Sequence, residues 1–193
     1  MRQLLFFSNN KNKIIEVKKI FNKFNLELIS LDDINITEEP KESGQTFEEN
    51  AKIKSDYGFS KTGIPCFADD SGICIESLNW KPGVFSKRFL NNFKSNEACF
   101  ESIIKSTKKN NKQNAYFKTS ISLTVKDNQN VIFNGKIDGK ISKQAKGRFG
   151  FGYDPVFIPK NYNDTLAELS TKEKNEISHR SIAVTKLINF LIN

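Results

Sequence analysis

Hydrophobic positions along this chain follow two rhythms, and their alternation predicts its elements. Leu4 to Phe7 form a short apolar run that reads as a buried strand, and the polar loop SNNKNK follows it directly. Ile14, Val17, Phe21 and Phe24 then recur at helical spacing, and Leu26 to Leu31 reads as a second strand after a brief turn. Strand, loop, helix and strand in this order are an α/β opening. Thr46 and Glu49 have capping-box spacing and predict a helix that carries Phe47, Ala51 and Ile53 and stops near Gly63. Pro65 to Ala68 reads as a short strand ending in the pair Asp69-Asp70. Beyond Ser71-Gly72 the alternation of Ile73 and Ile75 resumes an extended path, which places the acidic pair at a strand junction.

Ser95 is placed to cap a helix with Cys99, Ile103 and Ile104 facing inward. That helix ends beyond Thr107, where a second lobe is expected to begin. From Ala115 to Val125 apolar and polar residues alternate. The turn DNQN and the return through Val131 to Phe133 predict a long antiparallel hairpin, with a further strand over Ile137 to Ile141. The stretch GRFGFGYDPVF, with three glycines, aromatics and a proline, reads as an ordered loop. Ser178 can cap a last helix whose apolar face is Ile182, Ala183, Leu187 and Phe190, leaving His179 and Arg180 in its first turn. One domain over residues 1–193, of α/β class, is the expectation.

Composition narrows the function. The hydrophobic share is only 37%, but seventeen Phe supply bulk for a core, which argues against disorder. A net charge of +8 suits nucleic acid, an anionic membrane surface or a small polyanion. The basic residues are spread along the chain with only short clusters such as Lys108-Lys109, so a solvated surface is favoured and nucleic-acid binding is not expected. No apolar run is long enough to span a bilayer, so no membrane role is expected. Cys66, Cys74 and Cys99 are odd in number and lack CxxC spacing, and no signal peptide precedes them; a reduced, cytoplasmic protein is expected.

Three segments carry candidate chemistry. SNNKNK lies between a strand and a helix N-terminus, where backbone N–H groups favour an anion. Asn9 and Asn10 tolerate left-handed bends around phosphate oxygens, and Lys13 is in reach from the first turn; a plain polar helix cap is the other reading. FADDSG holds adjacent carboxylates that repel unless a cation or proton is shared, which suits Mg²⁺ bridging to phosphates and equally suits a turn capped by two aspartates. His179 is the single histidine, which excludes a multi-histidine metal site, and with Arg180 it concentrates donors at a helix start. The cysteines have no activating partner and suggest no nucleophile.

Taken together, SNNKNK, ESGQTFEENA, FADDSG, PGVFSKRF, GFGYDPVF and SHRSIA occur in an order that resembles the inosine triphosphate pyrophosphatase family over nearly the whole chain. The resemblance implies an elongated two-lobed α/β fold with a long mixed β-sheet flanked by helices, and an active-site cleft between the lobes. It also implies a homodimer, and hydrolysis of inosine, deoxyinosine and xanthosine triphosphates to the monophosphate and pyrophosphate. By the same resemblance Ser8, Asn10 and Lys13 hold the triphosphate, with Asn9 in the same loop. Asp70 accepts the proton of the attacking water and ligates Mg²⁺, Asp69 supports it, Glu42 is the second metal carboxylate with Glu38 and Glu39 as competitors, and Ser71 contacts the substrate. Phe151 stacks on the purine, and Gly152, Tyr153 and Asp154 shape the base and sugar pocket, which Lys174, His179 and Arg180 complete. Arg180 donates to the purine 6-oxygen and so disfavours adenine. Asn9 stands where many relatives have Gly, and Lys81 where a small residue is common. A related pyrophosphatase of other base preference and a non-catalytic nucleotide-binding protein are the alternatives.

Overall fold

The structure is a computed structural model that describes residues 3–127 and 129–193. Its strands are β1 (Leu5–Phe6), β2 (Ile29–Ser30), β3 (Cys66–Ile75), β4 (Lys81–Pro82), β5 (Asn114–Lys126), β6 (Gln129–Ile141) and β7 (Phe157–Pro159). Its helices are α1 (Lys11–Asn22), α2 (Phe47–Thr62), α3 (Ser86–Asn91), α4 (Asn96–Asn110), α5 (Thr171–Ile177) and α6 (His179–Ile192). The strands run β2-β1-β3-β5-β6-β7 in one sheet, with β4 paired to β3. β1 is parallel to both β2 and β3, whereas β4 is antiparallel to β3 and β7 to β6, so the sheet is mixed as expected.

The chain forms two compact units from interleaved segments. The first comprises Met1–Asp70, Thr119–Gly135 and Arg180–Asn193, and the second Ser71–Lys118 and Lys136–His179. The passage into the second unit therefore falls at Ser71, inside β3, and not beyond Thr107. In the first unit the main core joins Phe6 and Phe67 of the sheet to Val17, Ile20 and Phe21 of α1 and to Ala183, Val184 and Leu187 of α6. Leu5, Phe7, Cys66 and Ala68 point to the other face, where Tyr57 and Phe59 of α2 pack. The second unit has its own core around Ile73, Ile75, Cys99, Ile103, Phe117 and Phe157.

Several expected signals are realised in detail. Thr46 and Glu49 form the capping box of α2, and the helix ends on Gly63 in the left-handed conformation. Ser95 caps α4. The hairpin segments are longer than alternation alone suggested: β6 runs unbroken to Ile141 and absorbs the further strand expected there. Of the DNQN turn, Asn128 lies outside the described residues. The main correction concerns β3, a single ten-residue strand through FADDSG, so the acidic pair sits within a continuous strand and not at a junction. The strand continues there because Gly72 lets another backbone approach: a Cβ at that position would collide with the Gly83 carbonyl oxygen and Ser86 Oγ.

Candidate active site

Asp69 and Asp70 project to opposite faces of β3, because side chains alternate along a strand. This separates two carboxylates that adjacency in sequence had suggested would share one cation. Asp69, on the α1 and α6 face, receives Lys13 Nζ at 3.0 Å and Arg180 Nε at 3.3 Å. Burial opposes ionisation of Asp69, but Lys13, Arg180 and Lys54 together outweigh it and hold the carboxyl well below the usual carboxylate range. Asp70, on the α2 face, accepts from Asn50 Nδ2 at 3.0 Å. Burial pushes its carboxyl up against the pull of Lys54 and Lys13, and Glu42 adds to the rise.

Lys54 ties these groups together from α2. Its Nζ donates to the main-chain carbonyl of Asp69 at 2.7 Å and pairs with Glu42 Oε1 at 2.7 Å. Burial disfavours its charge, but Asp70, Asp69 and Glu42 raise its proton affinity above the ordinary lysine value. Of the three glutamates competing for the metal role, only Glu42 is engaged in this way. Glu39 accepts from the Asn9 N–H at 3.1 Å, and Glu38 from the Tyr57 hydroxyl at 3.0 Å. Asp70 and Glu42 thus act on one another electrostatically, both with Lys54 as a neighbour. A buried and a half-buried carboxylate of this kind offer the oxygen donors that a divalent cation completed by substrate phosphates takes. Among the described residues no group of three or more acidic, His or Cys side chains gathers as a closed metal site.

The SNNKNK loop makes the helix cap that was one of its two readings. Asn10 caps α1, its Oδ1 accepting from the Asn12 N–H at 3.1 Å and the Lys13 N–H at 3.3 Å, and Ser8 Oγ accepts from the Asn10 N–H at 3.3 Å. The left-handed bends expected of its asparagines are not used: Asn10 is extended at φ −80, and Asn9 is not among the residues of positive φ. A side-chain cap already satisfies these donors, so no left-handed turn is required. Arg180 lies with Lys13 and Asp69, its second anchor being Glu16 at 2.5 Å. Glu16 and Arg180 are both buried.

The second unit holds the remaining candidates. In the glycine-rich loop, Asp154 Oδ2 accepts from the Phe151 N–H at 2.8 Å and pairs with Lys174 Nζ at 2.6 Å, both side chains being buried. Gly150 has φ +78, and a Cβ there would collide with the Asp154 carboxylate; glycine is what lets the loop close on that group. Lys174 Nζ lies 4.7 Å from the centre of the half-buried Phe151 ring. Gly152 follows at φ +63. Tyr153 is a core residue, its hydroxyl donating to the Ser86 carbonyl at 2.7 Å, so it supports the loop from beneath. His179 stacks on Phe117, 4.7 Å between centroids, and is likewise buried. Ser71 follows Asp70 on β3 and is half-buried. Arg180 is therefore grouped with the acidic strand of the first unit, while Phe151, Asp154, Lys174 and His179 belong to the second.

Three engaged residues escaped the sequence reading: Glu16, Asn50 and Lys54. The buried stripe of α2 is Phe47, Asn50, Ala51, Lys54, Ser55 and Gly58, a helical period half made of polar residues. A search for apolar periodicity passes over it, although the spacing of Asn50 and Lys54 from Phe47 and Ala51 was available. Likewise Ser170 and Glu173 form a capping box that starts α5. The three cysteines are buried and free, and burial pushes the Cys99 thiol up to about 11, in keeping with no nucleophilic role.

Fold and site define an α/β protein with a carboxylate, lysine and arginine centre on the middle strand of a mixed sheet. The chain belongs to the Ham1 family, whose model matches residues 4–190. It is 43% identical to a dITP/XTP pyrophosphatase of Christiangramia forsetii, with 98% of each chain covered. Its fold matches the structure of a HAM1 protein from Coxiella burnetii with a TM-score of 0.88 at 32% identity, covering 100% of this chain and 99% of the other. The Ham1 protein of Staphylococcus aureus gives a TM-score of 0.85 at 34% identity, with 98% and 97% covered.

Proposed function

We propose that this chain hydrolyses non-standard purine nucleoside triphosphates, dITP, ITP and XTP, to the nucleoside monophosphate and pyrophosphate, with Mg²⁺ as cofactor. The observation that carries the reading is the divided acidic pair: one carboxylate fully neutralised by Lys13 and Arg180, the other buried with raised proton affinity beside Glu42. Relatives named dITP/XTP pyrophosphatase, matched over 98% of the chain, add to it.

Asp70 is the proton acceptor for the water that attacks the α-phosphorus, and its raised proton affinity brings it nearer the working pH of a general base. Asp70 and Glu42 would hold Mg²⁺, which when bound neutralises charge on the phosphate oxygens. Lys13, with Ser8, Asn9 and Asn10 of the adjoining loop, receives the triphosphate, and Lys54 holds Glu42 in place. Asp69 keeps Lys13 and Arg180 aligned and takes no proton, since its carboxyl stays ionised at any physiological pH. Positioning and charge neutralisation then account for most of the rate.

At the purine end Phe151 stacks on the base, Lys174 and Asp154 fix the loop that carries it, and Gly152, Tyr153, Ser71 and His179 shape the surroundings. Arg180 donates to the 6-oxygen. Glu16 and Asp69 hold its planar guanidinium in one orientation, as selection by a single donor requires. The active form is a cytoplasmic homodimer; among the described residues no helix is long and apolar enough to cross a membrane.

The test is a panel of nucleoside triphosphates incubated with the protein and Mg²⁺, with products resolved. Monophosphate and pyrophosphate from dITP and XTP, with ATP and GTP nearly untouched, is the expected result. Release of orthophosphate would sink the reaction assignment, and a preference for pyrimidine or methylated substrates would move the chain to a related pyrophosphatase. Binding without turnover would leave a nucleotide-binding protein.

A further inference from the structure

Away from the acidic strand, the second unit carries a surface pocket of about 670 Å³. Small-molecule sites usually span roughly 300–1,000 Å³. Its lining includes three aromatic residues, Trp80, Tyr116 and Tyr162, and three lysines, Lys136, Lys140 and Lys160. None of them has a part in the hydrolysis proposed above.

The aromatic wall is both exposed and costly. Trp80 is 46% exposed and Tyr162 37%. Trp80 is also held at φ 63, directly after Asn79 at φ 54. A bulky residue in the left-handed region is strained, and with nearly half of its surface left to solvent the indole recovers only part of that cost. The conformation is nonetheless fixed, since the Trp80 N–H donates to the Ile75 carbonyl at 2.8 Å and the indole lies 5.5 Å from the Tyr116 ring. Tyr116 is anchored in turn by its hydroxyl, which contacts Cys74.

The lysines supply the second half of the chemistry. Lys136, Asp138 and Lys140 alternate along β6 and so share one face of the strand. The β6–β7 register, with Gly139 opposite Pro159, brings Lys160 to the same edge. Lys136 Nζ lies 4.5 Å from the Tyr116 ring centre and pairs with Asp138 at 2.7 Å. Three lysines against that one carboxylate leave the lining positive.

We propose that this pocket is a second binding site, specific for an aromatic anion of nucleotide size, the class being a nucleoside monophosphate. The base stacks on Trp80 and Tyr162, and the phosphate is received by Lys140 and Lys160. A second copy of the chain, itself at net charge +8, is a poor counterpart for this positive lining. A pocket of this volume accommodates one nucleotide, which favours a mononucleotide over a nucleic-acid strand.

Trp80 is the only tryptophan in the chain, so its emission reads the pocket directly. Inosine monophosphate titrated into the intact protein should quench that emission saturably, inosine much more weakly, and inorganic phosphate not at all. The variant Lys140→Gln/Lys160→Gln should bind roughly tenfold more weakly while its pyrophosphatase turnover is unchanged. Tyr162→Leu should weaken binding without changing the salt dependence. Quenching equal in wild type and lysine variant would overturn the proposal, as would no quenching at millimolar monophosphate. Quenching by a thymidine oligonucleotide but by no monophosphate would reassign the surface to nucleic acid. An emission change that follows protein concentration alone would reassign it to a second copy.

Discussion

Asp69 and Asp70 are neighbours in the chain, yet their carboxyl groups shift in opposite directions, because one strand turns them to opposite faces. The ionised Asp69 joins Lys13 and Arg180, whereas Asp70 meets Asn50 and the field of Glu42.

Asp70→Asn should lower kcat by roughly 10²- to 10⁴-fold, the range of a lost general base, and by more if metal binding is lost with it. The same substitution should leave the metal-free protein as stable as wild type at neutral pH, or more stable. A carboxyl whose folded pKa is raised destabilises the fold at pH values above the unfolded pKa, and Asn removes that cost. Pyrophosphate release and thermal melting in the presence of a chelator measure the two halves separately. A melting temperature lowered by the substitution would contradict the raised proton affinity of Asp70.

The pH profile carries the same sign. Asp70 must be ionised to accept a proton, so the acid limb of kcat/KM should lie above the ordinary carboxylate range of about 4. Stability falls in the same direction through Asp69, but over a more acidic range. Its depressed pKa contributes stability present above the unfolded value and lost as pH falls through and below about 4. Melting curves from pH 7 to acid, compared with those of Asp69→Asn, should converge at the acid end.

Lys54→Met should destabilise the first unit by about 2–4 kcal/mol, since it leaves a buried carbonyl and two acidic groups without their cation. It should also weaken activation by Mg²⁺, because Glu42 loses the ammonium that holds it at 2.7 Å. Chemical denaturation and a Mg²⁺ titration of activity test both. Unchanged metal dependence would detach Glu42 from the metal role.

Arg180→Ala and Glu16→Ala should each relax the discrimination between ITP and ATP, by roughly tenfold or more, and the double variant should add little to either. The non-additivity follows from the 2.5 Å pairing of the two side chains in a buried site. Ratios of kcat/KM across the four proteins make the cycle. Equal ratios throughout would remove Arg180 from base recognition and leave it as an anchor of Asp69.

Lys174→Ala should raise KM for the purine substrates roughly tenfold with a smaller effect on kcat, because the loop around Phe151 loses the partner of Asp154. Pyrophosphate release at saturating substrate separates the two constants. A selective fall in kcat would place Lys174 nearer the reacting phosphates.

Local signals in the sequence were enough for the capped helices α2 and α4, the buried first strand, the hairpin segments and the glycine-rich loop. Each depends on nearest neighbours: Thr46 on Glu49, Gly63 on the helix before it, alternation on the pleat. The same locality misled at FADDSG, where small and acidic residues read as an interruption. Gly72 instead serves a close approach to Gly83, a contact made only by a segment eleven residues on.

The sequence by itself determined the α/β class and the family resemblance, and named Lys13, Asp70 and Glu42 as candidates, with Glu38 and Glu39 competing for the last place, because motifs and periodicity are written in order along the chain. Only the tertiary structure decided which carboxyl group is held down by cations and which is pushed up by burial, since that depends on cations at positions 13, 54 and 180 converging on positions 69 and 70. It alone also disclosed Glu16, Asn50 and Lys54, polar residues on buried helix faces. Their burial is tolerated because each has a partner far away in sequence, and hydropathy along the chain cannot register a partner of that kind.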